Sequence, residues 1–236
     1  MTTIANSLQA IRNRIHSAES AAGRTQGEVT LLAVSKAHPA EAVRAAYAAG
    51  QQAFGENYLQ EALAKQQELT DLAIAWHFIG PLQSNKTLAI AQNFSWVHSV
   101  DRLKIAERLN TARPADLPRL QVCLQVNVSR EASKGGVAAT EACALAQAIA
   151  KLPRLQLRGL MAIPAPSHSI AIQRQQFRMV RELQETMQAQ GLALDTLSMG
   201  MSDDFPAAIA EGATIIRIGS AIFGARPATE NRQVRL

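Results

Sequence analysis

The sequence is poor in aromatic residues, in charged residues and in clustered basic residues. Aromatic side chains make up 4% of the 236 residues, and charged side chains 18%. So few aromatics offer little stacking surface for single-stranded nucleic acids. The net charge of +5 suits an anionic partner, but the lysines and arginines are scattered and form no dense run. These patterns disfavour nucleic-acid binding and are explained equally well by a small phosphorylated ligand.

Several sequence signals of other protein classes are also missing. The two cysteines, Cys123 and Cys143, form no CxxC motif and no Cys/His cluster, which argues against zinc and against a redox pair. The N-terminus lacks the basic head and apolar core of a signal peptide, and no apolar run is long enough to span a bilayer. Neither GxGxxG nor GxxxxGK[ST] occurs, which removes the common dinucleotide and P-loop sites. We therefore expect a cytoplasmic protein that does not bind membranes.

Short β-rich runs alternate with helical stretches along the chain, a pattern typical of parallel βαβ units. Eight strands are predicted, at residues 29–35, 52–55, 75–79, 96–100, 120–128, 157–162, 196–199 and 214–218. With 47% hydrophobic residues, the chain can bury a substantial core. We predict an α/β fold: a (β/α)₈ TIM-type barrel that forms a single domain over residues 1–236. An extra N-terminal helix (residues 1–23) packs on it, and a polar tail follows at 227–236.

The functional site of such a barrel forms at the carboxyl ends of the strands, which makes Lys36 a candidate. This lysine directly follows the first apolar strand. Burial would lower the pKa of its ammonium group and supply the neutral amine that Schiff-base chemistry needs. The alternative is a surface lysine at the start of a loop.

A phosphate site is predicted at the ends of the seventh and eighth strands, where these barrels often bind phosphate. Ser202 follows the seventh strand, and Gly219 and Ser220 follow the eighth. The alternative is a turn glycine with a helix-capping serine. Lys134, in the loop 133–136, is a further candidate for contacting an anion.

Four other polar residues have structural interpretations. Asp203 and Asp204 precede a predicted helix at 205–210, so we interpret their carboxylates as caps for its amides. His77 and His98 lie within apolar strands, and we interpret both as core groups rather than catalysts.

Six segments, in order along nearly the whole chain, closely resemble the YggS family of pyridoxal phosphate homeostasis proteins. They are LLAVSK (31–36), FGENY (54–58), WHFIGPLQSNK (76–86), LRGLM (157–161), MGMSDD (199–204) and RIGS (217–220). The resemblance implies an alanine-racemase-like barrel that binds pyridoxal 5′-phosphate. By matching motif, Lys36 would hold the cofactor as a Schiff base, and Asn57 would lie beside it.

The same resemblance implies roles at the last two strands. Ser202, Gly219 and Ser220 would hold the phosphate, and Arg217 would face the pyridine nitrogen. Arginine has no acceptor and stays protonated, so it can hydrogen-bond only an unprotonated ring nitrogen. An unprotonated ring is a weaker electron sink than a pyridinium, which disfavours chemistry such as transamination.

The resemblance implies a non-catalytic cofactor carrier that exchanges pyridoxal phosphate with apoenzymes dependent on it. The alternative is an amino acid racemase, which needs an acid/base group on each face of its substrate. Lys36 could serve one face, and no second group stands out in the sequence. Related racemases also add a second, β-rich domain. Because the barrel consumes almost the whole chain, we expect a monomer.

Overall fold

The computed structural model describes residues 3–129 and 135–225. Eight parallel strands form one sheet, and the pairings of β1 with β8 and of β4 with β5 close it into a barrel. The strands are β1 (Thr30–Val34), β2 (Ala53–Glu56), β3 (Ala75–Phe78), β4 (Trp96–Val100), β5 (Leu120–Asn127), β6 (Leu155–Ala162), β7 (Thr196–Ser198) and β8 (Ile215–Ile218). The predicted (β/α)₈ barrel is therefore confirmed.

Each strand is followed by a helix, and one further helix precedes the barrel. The helices are α1 (Ile4–Ala21), α2 (Ala40–Ala48), α3 (Leu59–Glu68), α4 (Thr87–Asn93), α5 (Leu103–Ala112), α6 (Ala139–Ala150), α7 (Ile170–Ala189), α8 (Phe205–Ala210) and α9 (Ser220–Phe223). Their apolar faces cover the outside of the sheet, and the main hydrophobic core fills the layer between helices and strands.

The N-terminal helix is built as the sequence predicts. Leu8, Ile11 and Ile15 recur on one face and are all buried, which is the spacing of an amphipathic helix. The Thr3 hydroxyl caps the helix by accepting a hydrogen bond from the Asn6 amide. This helix packs against α2, α8 and α9, so it lies on the helices beside the first and last strands of the barrel.

All eight predicted strands are present, with small differences at their ends. β6 begins at Leu155, two residues before the predicted start, because Leu155 pairs with Leu120 of β5. The sequence analysis missed one element, a two-residue strand (Val137–Ala138) that pairs with the end of β5.

Strand register brings the predicted site residues to one rim of the barrel. Leu32 of β1 lies opposite Arg217 of β8, and Val34 lies opposite Gly55 of β2. In parallel strands, the residues that follow paired positions leave the sheet at the same edge. Lys36 and Asn57 therefore emerge side by side, above the Arg217 side chain.

Within residues 3–129 and 135–225, no helix is long and apolar enough to cross a membrane. The same residues contain no group of three or more His, Cys, Asp or Glu side chains placed to hold a metal ion.

Candidate functional site

A pocket of about 220 Å³ opens at the carboxyl ends of the strands. All six predicted site residues line it: Lys36, Asn57, Ser202, Arg217, Gly219 and Ser220. The sequence could not show that these positions, which span most of the chain, lie around one cavity of this size. An amine, an amide, a guanidinium and two hydroxyls therefore share one enclosed space.

Part of the pocket lining was not predicted. Val34, Ile79 and Met161 supply an apolar surface, and His38 and Met201 also line the cavity. The alternation of side chains along a strand could have predicted Val34 as a pocket residue, because it lies two residues before Lys36 and so shares its side of the strand. His38 had no comparable signal, because it follows a turn rather than a strand.

Lys36 sits in a tight turn at the end of β1. The Ser35 carbonyl accepts a hydrogen bond from the His38 amide at 3.1 Å, and Ala37 has φ +61°. No other non-glycine residue in the described ranges has a positive φ, and a left-handed alanine costs about 1 kcal/mol. The Glu61 carboxylate of α3 accepts a hydrogen bond from the Ala37 amide at 3.1 Å. This contact holds the strained turn that presents Lys36 to the pocket.

A buried ion pair supports the same turn from behind. Lys65 of α3 lies 2.6 Å from the Glu56 carboxylate and donates to the Ser35 carbonyl at 2.7 Å. The Ser35 hydroxyl donates to Glu56 at 2.6 Å. Burial raises the pKa of Glu56, while Lys65 and Ser35 oppose the shift. The network joins the ends of β1 and β2, one residue before Lys36 and Asn57 respectively.

Asn57 carries a buried polar atom to which no described residue donates a hydrogen bond. This atom is its Oδ1, and most buried polar atoms in proteins are paired. The residue also lines the pocket. A ligand in the pocket would therefore find an unsatisfied amide there.

Gly80 fixes the backbone position of Asn57, and replacing it with alanine tests this contact. A Cβ at Gly80 would clash with the Asn57 carbonyl oxygen, so the backbone of Asn57 would have to move. We expect Gly80→Ala to lower the free energy of unfolding by about 2 kcal/mol. Urea unfolding measures this change.

The matched control is Gly135→Ala. A Cβ at Gly135 would meet the Gln125 amide nitrogen at 3.5 Å, an ordinary contact. Its free energy of unfolding should change by less than about 0.5 kcal/mol. Equal losses of unfolding free energy in the two variants would contradict the conclusion that Gly80 fixes the backbone position of Asn57.

Two loops form the side of the pocket at which phosphate is predicted. Ser202 lies between β7 and α8, and Gly219 and Ser220 link β8 to α9. A Cβ at Gly219 would lie 3.0 Å from the Val34 carbonyl oxygen. The glycine therefore also lets this loop lie against the strand that leads to Lys36. Lys134, the other predicted anion contact, lies outside the described residues, as does the predicted tail at 227–236.

The capping role predicted for Asp203 and Asp204 is wrong. Helix α8 spans the predicted residues and Asp204 is its N-cap residue, but the Asp204 side chain caps no amide of the helix. Asp204 instead accepts a hydrogen bond from the Met201 amide at 2.6 Å, three residues before it. This bond closes the loop that carries Ser202, while Asp203 is exposed.

Arg217 is buried beneath the pocket and held by neutral acceptors. Its Nη1 donates to the Ser198 carbonyl at 2.6 Å and to the Ser198 hydroxyl at 2.9 Å. Its Nη2 donates to the Ala162 carbonyl at 3.0 Å. Burial lowers the pKa of Arg217 to about 10, so the guanidinium stays charged at neutral pH. A guanidinium has five N–H donors, and these bonds to Ser198 and Ala162 leave two of them, on a side chain that lines the pocket.

Two histidines continue this network through the barrel interior. His98 Nδ1 lies 2.8 Å from the Ser198 hydroxyl, and His98 Nε2 lies 2.9 Å from His77 Nδ1. Because β4 and β7 are not neighbours, the contact between His98 and Ser198 crosses the inside of the barrel. The His77 ring stacks on Trp96 at 5.3 Å. Both histidines are core groups, as the sequence indicates, but they are connected to the site.

The buried histidines predict a loss of stability in acid. Burial lowers the pKa of His77 from 6.5 to about 3, and it lowers the pKa of His98 as well. Below pH 6.5 the unfolded histidines bind protons that the folded ones do not. The contribution of the neutral histidines to the free energy of unfolding is therefore complete above pH 6.5, and it is lost as the pH falls towards about 3. Each histidine contributes up to about 1.4 kcal/mol per pH unit.

The variant His77→Phe isolates one of these contributions, since it keeps an aromatic ring beside Trp96 but cannot titrate. Urea unfolding between about pH 6 and pH 5 should show a pH slope smaller than that of the parent by about 1.4 kcal/mol per unit. Identical slopes in both proteins would contradict the neutral state of His77.

Comparisons with known proteins agree with the site. The family described as "Alanine racemase, N-terminal domain" matches residues 7–227. The chain is 62% identical over 226 residues to the pyridoxal phosphate homeostasis protein of Pseudomonas aeruginosa, covering 96% of this chain and 97% of that protein. It is 50% identical over 232 residues to the protein of the same name from Escherichia coli K12, covering 96% and 98%.

Solved structures with similar folds fall into two groups. PipY from Synechococcus elongatus, solved with PLP bound, is 41% identical with a TM-score of 0.83, covering 94% of this chain and 100% of that chain. Alanine racemase from Corynebacterium glutamicum is 19% identical with a TM-score of 0.69, covering 94% of this chain and 63% of that chain. The second likeness concerns the fold alone.

Proposed function

Because the chain belongs to the family of pyridoxal phosphate homeostasis proteins, we propose that its barrel binds pyridoxal 5′-phosphate through a Schiff base on Lys36. The protein then takes part in intracellular homeostasis of the cofactor without a dedicated catalytic reaction. One observation carries the proposal: the six residues that match the family's motifs line a single pocket.

The pocket residues fit this cofactor chemically. When bound, the cofactor supplies an aldehyde, which condenses with a primary amine and releases water. Lys36 provides the amine, and the turn held by Glu61 directs it to the pocket. The Asn57 Oδ1, buried and without a hydrogen-bond donor among the described residues, gives a ligand a polar atom to satisfy.

The pocket lining offers two kinds of group to the cofactor. Ser202 and Ser220 offer hydroxyls, and Gly219 offers backbone close to the strand ends, a combination suited to a phosphate. Arg217 also lines the pocket and has two N–H donors that Ser198 and Ala162 do not use. We assign these donors to the pyridine nitrogen.

The alternative function, amino acid racemisation, lacks support from the pocket lining. Besides Lys36 and Arg217, His38 is the one titratable side chain among the described residues that line the pocket, and it belongs to the same turn at the end of β1 as Lys36. Neither tyrosine, Tyr47 nor Tyr58, lines it. A racemase needs a second acid/base on the opposite face of its substrate, and Arg217 favours an unprotonated ring that stabilises carbanions poorly.

A turnover assay separates the two functions. The purified protein, loaded with pyridoxal phosphate, is incubated with common L-amino acids, and D-amino acids are measured over many equivalents of protein. We expect binding without sustained D-product. Sustained turnover would overturn the carrier assignment, and a protein that takes up no cofactor would overturn the proposal as a whole.

We further propose that the chain acts as a cytoplasmic monomer made of one domain, residues 1–236. In this role it would exchange the cofactor with apoenzymes that depend on pyridoxal phosphate, and it would bind neither nucleic acid nor membranes. Its scattered basic residues and few aromatics support the absence of a nucleic-acid partner.

A further inference from the structure

Arg217 is a buried cation that forms no ion pair with the described part of the chain. The side chain is 5% exposed, and none of the carboxylates in residues 3–129 and 135–225 forms an ion pair with it. Buried charges are usually paired with an opposite charge or neutralised. Here the guanidinium instead contacts two backbone carbonyls and the Ser198 hydroxyl. The Asp204 carboxylate also raises the pKa of Arg217 through its charge, but the direct hydrogen bonds to the guanidinium come from these neutral acceptors.

The chemistry of each donor sets the direction of the hydrogen bonds beyond Arg217. The guanidinium can only donate, so the Ser198 oxygen accepts from it. Among the described residues, His98 Nδ1, at 2.8 Å, is the one contact of this buried hydroxyl that can accept its proton, so we assign the proton to that bond. That nitrogen must be unprotonated to accept. The proton of neutral His98 therefore lies on Nε2, which donates to His77 Nδ1 at 2.9 Å.

The same reasoning places the proton of His77 on Nε2. In each hydrogen bond of the series Arg217, Ser198, His98 and His77, the donor is thus the residue nearer to the cation. Each acceptor therefore directs a lone pair towards the cation. Aligned hydrogen bonds polarise one another in a low-dielectric interior. Because both rings are buried within the barrel, neither histidine carries a charge that would repel the guanidinium.

We propose that Ser198, His98 and His77 are positioning residues that stabilise the Arg217 cation through neutral hydrogen-bond acceptors and aim its remaining N–H donors at the pocket. A carboxylate would compete for those donors, whereas neutral acceptors leave them for a ligand with a lone pair. The effect of these hydrogen bonds on cofactor binding rests on the proposed function. The proton positions on Ser198, His98 and His77 do not depend on it.

Nuclear magnetic resonance of the cofactor-free protein tests the proton positions directly. In protein labelled with ¹⁵N at histidine, the proposal predicts that both rings are neutral and protonated at Nε2, from about pH 8 to pH 5. A proton on Nδ1 of His98, or a charged His98 in this range, would overturn the proposal whether or not the protein binds the cofactor.

A matched pair of variants tests the effect on binding. In His98→Asn, the amide oxygen takes the place of Nδ1 and can still accept from Ser198, whereas His98→Leu offers no acceptor. We expect His98→Leu to bind pyridoxal phosphate up to about tenfold more weakly than His98→Asn, the upper end of the contribution of one neutral hydrogen bond. Equal affinities in two variants with similar melting temperatures would refute the positioning role.

Ser198→Ala interrupts the same series of hydrogen bonds and provides a second test should His98→Leu fail to fold. It removes the hydroxyl but keeps the backbone carbonyl that Arg217 contacts. The same loss of up to about tenfold is expected, and an affinity equal to that of the parent would overturn the proposal. If the parent protein itself bound no cofactor, the proposed function would fail, and the histidine spectra would still decide the proton positions.

Discussion

Lys36→Ala is expected to abolish the covalent link to pyridoxal phosphate while leaving the barrel folded. The substitution removes the pocket's primary amine but none of the buried contacts among Ser35, Glu56 and Lys65 that hold the end of β1. The phosphate loops should retain weak, non-covalent binding. We expect the apparent dissociation constant to rise at least about 100-fold, equivalent to about 2.7 kcal/mol, when measured by equilibrium dialysis.

The matched control is Lys104→Ala, which removes an exposed lysine on α5. It should bind the cofactor as tightly as the parent protein. A Lys36→Ala protein that melts far below the parent would show that the lysine is structural. A Lys36→Ala protein that still forms a covalent adduct would place the linkage on another residue.

Arg217→Met is expected to weaken retention of the cofactor and to change its visible absorption spectrum. Methionine fills much of the space of the arginine side chain but donates no hydrogen bond. The pyridine nitrogen would then lose its proposed partner. We expect at least a tenfold loss of affinity, since a hydrogen bond to a charged group contributes about 1.5–3 kcal/mol. Absorbance titration measures both the affinity and the spectrum.

Arg217→Lys is the comparison that separates charge from geometry. A lysine keeps a positive charge but lacks the planar fork that contacts both Ser198 and Ala162. Its affinity should lie between those of the parent and Arg217→Met. An unchanged spectrum in Arg217→Met, with the protein folded, would refute the assignment of Arg217 to the ring nitrogen.

The sequence predicts the barrel well because its β-rich runs alternate with clearly helical stretches. Strand β4 has the predicted bounds, and helix α8 spans the predicted residues 205–210. The two-residue strand Val137–Ala138 was missed because its pairing with β5 leaves no periodic pattern in two residues. Family membership, first indicated by the motifs, is confirmed by relatives that match nearly the whole chain.

The site shows where prediction from sequence stops. Knowing which strands end together was enough to group Lys36, Asn57 and Arg217 around one mouth. The contact between His98 and Ser198 could not be predicted, because it joins strands on opposite sides of the barrel. The bond from the Met201 amide to Asp204 depends on one side-chain rotamer, and the general preference of aspartate for helix caps pointed elsewhere.

Reduction of the cofactor-loaded protein with borohydride, followed by peptide mass mapping, tests the central claim most directly. The account predicts a yellow protein that bleaches on reduction and carries a phosphopyridoxyl group on the peptide containing Lys36. A protein that stays colourless after addition of pyridoxal phosphate, or an adduct on a different lysine, would contradict it.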